Sequence, residues 1–141
     1  MSNIVIVGPN EAYGIELAHT IRRSVPPPIL FQVTTNQADA VKLRKPQENQ
    51  AYIISQHFYR NPKSGVLDSR VFQLAQDLND GSLSYDRMMV ILDTDYQNRR
   101  FLDIARRVGL SKFYTENGEF KDGIAPVSEL PKSLIEILRE Q

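Results

Sequence analysis

The sequence contains no cysteine. Without thiols there is no disulfide scaffold, no cysteine-ligated zinc and no thiolate nucleophile. Histidine is scarce: His19 and His57 are the only two, too few for a multi-histidine metal site. Excess charge of either sign is missing, because 17 Lys+Arg are matched by 17 Asp+Glu. A general nucleic-acid binder carries a basic excess, so nucleic acid is not an expected partner. No apolar run approaches the roughly 18 residues that a membrane helix needs, and a membrane is not expected either. The opening Met1-Ser2-Asn3-Ile4 lacks the charged flank of a signal peptide, which makes the cytoplasm the expected compartment. What is present is 141 residues, 41% hydrophobic and 24% charged. These values fit one globular domain over 1–141 that buries roughly 68–70% of its unfolded surface.

The apolar pattern alternates between two periods. Asn3–Val7 is a short β-branched run closed by Gly8-Pro9, as expected of a strand buried on both faces. Ile15, Ala18, Ile21 and Val25 then recur at helical spacing after Asn10, a candidate N-cap, and Pro26-Pro27-Pro28 stops that helix. Leu30–Thr35 reads as a second strand, Asn36–Leu43 as a short helix and Pro46–Gln50 as a polar loop. Ala51–Ser55 reads as a third strand, followed by a long loop over His57–Leu67. Val71, Leu74, Ala75 and Leu78 mark a third helix, and Arg87–Leu92 is the most apolar strand. Phe101, Ile104, Ala105 and Val108 mark a fourth helix, closed by Gly109. Lys112–Thr115 reads as a fifth strand and Glu116–Val127 as turns. Ser128 is the expected cap of a last helix carrying Leu130, Leu134, Ile137 and Leu138. Five strand–helix pairs predict an α/β fold: a five-stranded parallel doubly wound sheet in three layers, in the flavodoxin-like order 2-1-3-4-5.

Ligands of such sheets sit at the carboxyl ends of the strands. The loops to inspect are therefore Gly8–Glu11, Ser55–Tyr59, Asp93–Gln97 and Thr115–Gly118. Gly8-Pro9-Asn10-Glu11 matches no glycine-rich phosphate motif, although the start of the first helix could accept a nucleotide or small anion. Ser55-Gln56-His57 offers a hydroxyl, an amide and an imidazole, with no carboxylate in the turn to orient the ring. Asp93-Thr94-Asp95 is the sharpest local signal. With Glu11 its carboxylates could hold Mg²⁺; alternatively Asp95 caps the fourth helix.

LFQVTTNQADAVKL, AYIIS and VILDTDYQNRRFLDIARRVGLSKFYT together resemble the receiver domain of bacterial response regulators, in element order and apolar pattern over nearly the whole chain. On that resemblance the family's acidic pair falls on Gly8 and Pro9, and its phosphoacceptor on Ser55, or on Gln56 one residue on. Its Ser/Thr switch falls on Asp93 or Thr94, and its lysine near Glu116. Only Thr94 matches in kind. Aspartyl phosphorylation needs a carboxylate nucleophile, a metal held by acids and a lysine. The resemblance therefore implies an atypical, phosphorylation-independent receiver with no cofactor. Such domains occur alone or at the front of larger proteins, including partition-type ATPases of pilus assembly. It further implies a protein partner and a homodimer through the fourth helix, fifth strand and last helix. There Arg99, Arg106 and Arg107 would rim an apolar centre of Phe101, Leu102 and Tyr114, with one of Phe101 and Leu102 expected at the surface.

VILDTDYQNRR is also similar to the DxD strand of the Toprim domain. That likeness implies a Mg²⁺-dependent nucleic-acid enzyme using Asp93, Asp95 and Glu11. It departs at Val7-Gly8, where that family has a glutamate, and at the additional strand–helix pair 51–79.

Overall fold

In a computed structural model the chain is described over residues 2–26, 28–56, 70–92, 99–116 and 123–139. The elements are β1 (Ser2–Val7), α1 (Glu11–Arg22), β2 (Ile29–Thr34), α2 (Gln37–Lys42), β3 (Asn49–Ser55), α3 (Arg70–Asp80), β4 (Met88–Leu92), α4 (Arg99–Val108), β5 (Lys112–Thr115), β6 (Ile124–Pro126) and α5 (Leu130–Arg139). Short 3-10 turns lead into β4 at Tyr85–Arg87 and into α5 at Val127–Glu129. All strands are parallel, in the order β2-β1-β3-β4-β5-β6.

The order matches the expected one with a sixth strand added beyond β5. That strand corrects the expected count of five. Ile124–Pro126 is three residues long and ends in proline, so it carries no period, and proline is tolerated there because the strand is an edge. A second correction concerns the last helix. Ser128 does not cap it: the 3-10 turn follows Pro126 without a side-chain cap, and α5 starts at Leu130.

Strand alternation sorts the core into two layers. Ile4, Ile6, Ile53, Met89, Ile91 and Tyr114 meet α1 and α5 on one face. Val5, Val7, Tyr52, Ile54, Val90 and Phe113 meet α2, α3 and α4 on the other. Full burial of each large side chain contributes about 1.5–3 kcal/mol. Two helix starts follow their sequences directly. Asn10 Oδ1 accepts from the Tyr13 N–H at 2.8 Å, and Asn36 Oδ1 from the Asp39 N–H at 2.8 Å. α1 lies close against β2, where a Cβ added to Gly14 would stand 2.2 Å from Val33 Cγ1.

The amino end of the sheet carries buried polar side chains. β1 and β3 pair two residues earlier than the apolar runs, with Ser2 beside Asn49 and Asn3 beside Gln50. The Gln50 amide donates to Asn3 Oδ1 at 2.9 Å and to the Leu43 carbonyl at 2.7 Å. Its oxygen accepts from Arg44 Nη1 and from the Lys45 N–H, both at 2.8 Å. Asn3 in turn donates to Glu48. Arg44 also donates to the carbonyls of Gly81 and Ser82, both at 3.1 Å, which fixes the turn after α3. Arg87 Nη1 donates to Asn49 Oδ1 at 2.6 Å, and Asn49 donates to the Leu138 carbonyl at 2.6 Å, tying α5 to the same end.

Candidate functional site

The sheet order reverses at β1, because β2 lies on one side of it and β3 on the other. The carboxyl ends of β1 and β3 therefore flank the crevice where ligands of open α/β sheets bind. At the end of β1, the Gly8 N–H donates to the Thr34 carbonyl at 3.0 Å, extending the ladder one residue past the strand. Gly8 is buried, whereas Pro9, Asn10 and Glu11 are exposed. A Cβ on Gly8 would stand 2.8 Å from Tyr13 Cδ1, so the glycine makes room for the Tyr13 ring. Asn10 meanwhile occupies one donor of the α1 N-terminus with its own side chain.

At the end of β3, Ser55 is 1% exposed and pairs in register with Ile91. The Gln56 N–H donates to the Ile91 carbonyl at 2.9 Å, and Gln56 is half-buried. Residues 57–69 and 93–98 lie outside the described residues. His57, Asp93, Thr94 and Asp95, and with them the carboxylate cluster and the expected Asp95 cap, belong to those stretches. The described member of that cluster, Glu11, is exposed, as is Glu116 just past β5. Among the described residues no group of three His, Asp or Glu could hold a metal ion. The residues that end β1 and β3 offer amides, a hydroxyl and a proline ring, and no carboxylate.

Two further hydroxyls at this end, Thr34 and Thr115, are buried. The recognisable signal is positional: Thr34, Ser55 and Thr115 each close a strand. They do not converge. Ser55 shares the face of Ile53, toward α1 and α5, while Thr34 and Thr115 fall on the opposite face. Thr34 and Thr115 are moreover separated by β1, β3 and β4.

The face built by α4, β5 and α5 differs from expectation at its centre. Phe101 is 2% and Leu102 7% exposed, and neither reaches the surface. The roughly 100° between them fits within the apolar stripe of a core-facing helix. Phe101 packs on Phe72 of α3 with ring centroids 4.9 Å apart. Tyr114 is also buried; burial raises its phenol pKa, opposed by a hydrogen bond with Ser133 of α5. The fully exposed side chains of α4 are charged, while Ile104 and Val108 are partly exposed. Arg99, Arg106 and Arg107 are exposed, with the Arg106 guanidinium 5.6 Å from the Phe113 ring centroid. Among the described residues, Phe101, Leu102 and Tyr114 therefore do not supply an exposed apolar centre on this face.

No helix among the described residues is long and apolar enough to cross a membrane. Neither a protein-family model nor a curated protein matches the chain.

Proposed function

We propose that the chain is a receiver-like module for protein–protein contact that works without phosphoryl transfer. One observation carries this reading. The β2-β1-β3-β4-β5 order is combined with Gly8 and Pro9 after β1 and with Ser55 and Gln56 closing β3, where phosphoryl transfer would need carboxylates. A serine hydroxyl buried to 1% exposure is a poor stand-in for a carboxylate nucleophile. With no carboxylate closing β1 or β3, the sheet serves in this reading as a scaffold whose outer surfaces meet protein partners.

The test is exposure of the full chain to acetyl phosphate and Mg²⁺, followed by intact-mass spectrometry and sedimentation. The expected mass is unchanged, and sedimentation is the same with and without the donor. A stoichiometric gain of one base-labile phosphate would overturn the reading.

A further inference from the structure

We draw no further inference here: the strongest candidate, the open edge of the sheet at β2 with the exposed Leu30 beside it, carries none, because Leu30 and the exposed Ile15 of α1 lie on opposite faces of the sheet and nothing in the structure shows what covers that edge.

Discussion

Gly14→Ala pits helix propensity against packing, and the structure says which prevails. In an open helix the change gains about 1 kcal/mol. Here the new methyl would stand 2.2 Å from Val33 Cγ1 and 3.3 Å from its Cβ and Cγ2, against a comfortable carbon separation of about 3.5–4.0 Å. Valine is stiff at χ1 and cannot swing its methyl aside cheaply. β2 is held to β1 by its ladder, so α1 must lift, drawing Ala18 and Ile21 away from the sheet. Overpacking of this kind costs about 1–3 kcal/mol, and an overlap this deep belongs at the upper end. The expected net loss is about 1–2 kcal/mol. For a domain of this size that lowers Tm by roughly 3–10 °C. Urea melts of Gly14→Ala, Val33→Ala and the pair separate the terms. With the two Val33 methyls removed, Gly14→Ala should become neutral or stabilising, a coupling of about 1–3 kcal/mol. A Tm increase for Gly14→Ala alone, or strict additivity in the pair, would refute the reasoning.

Two other perturbations address the amino end and the buried phenols. Gln50→Leu leaves Arg44, the Lys45 N–H, Asn3 and the Leu43 carbonyl short of a partner, and should cost about 3 kcal/mol in a urea melt. A loss below about 1 kcal/mol would mean that water replaces the amide there. Burial raises the pKa of both Tyr52 and Tyr114 in the folded protein. The unfolded chain releases those protons near pH 10 while the folded chain keeps them, so their stabilisation is complete below that pH and is lost as pH rises above it. Unfolding free energies measured across the alkaline range should fall with a slope that Tyr52→Phe reduces. At neutral pH the same change should cost about 1 kcal/mol, for the 2.7 Å bond from its hydroxyl to the Ala40 carbonyl.

Much of the fold is legible in the sequence because the central strands are buried on both faces. β1, β3 and β4 read as unbroken apolar runs, and the helices between them carry clear stripes. Asn10 announces its helix because a cap is a local device, and Asn36, read as the first residue of the second helix, caps it in the same way. What escaped depends on partners distant in sequence. β6 exists only because β5 lies beside it. Asn49 and Gln50 look like loop residues until Ser2 and Asn3 are seen opposite them. The switch-point rule reaches Gly8 and Ser55, but that Gly8 serves the Tyr13 ring is a packing fact. The same holds for Phe101 and Leu102: the helical wheel gives the angle between them, and only α3 and the sheet decide that both are enclosed.

The paired amides of Asn3 and Gln50 have a consequence for how the strands find one another. Ile4–Val7 and Ala51–Ile54 are nearly uniform in hydrophobicity, and both faces of each strand are dry. Sliding β3 by a residue would trade Tyr52 and Ile54 for Ala51 and Ile53 in one layer and the reverse in the other, which changes volume but leaves every position apolar, so hydrophobicity alone distinguishes the alignments poorly. The amides discriminate sharply. A shift of one position sends the Gln50 side chain to the opposite layer, away from Arg44 and the Leu43 carbonyl. It would leave the Lys45 N–H and the Leu43 carbonyl without the amide and take one acceptor from Arg44. One polar rung at the foot of the ladder thus acts as an index mark, and the strand ends opposite stay aligned because the count begins there.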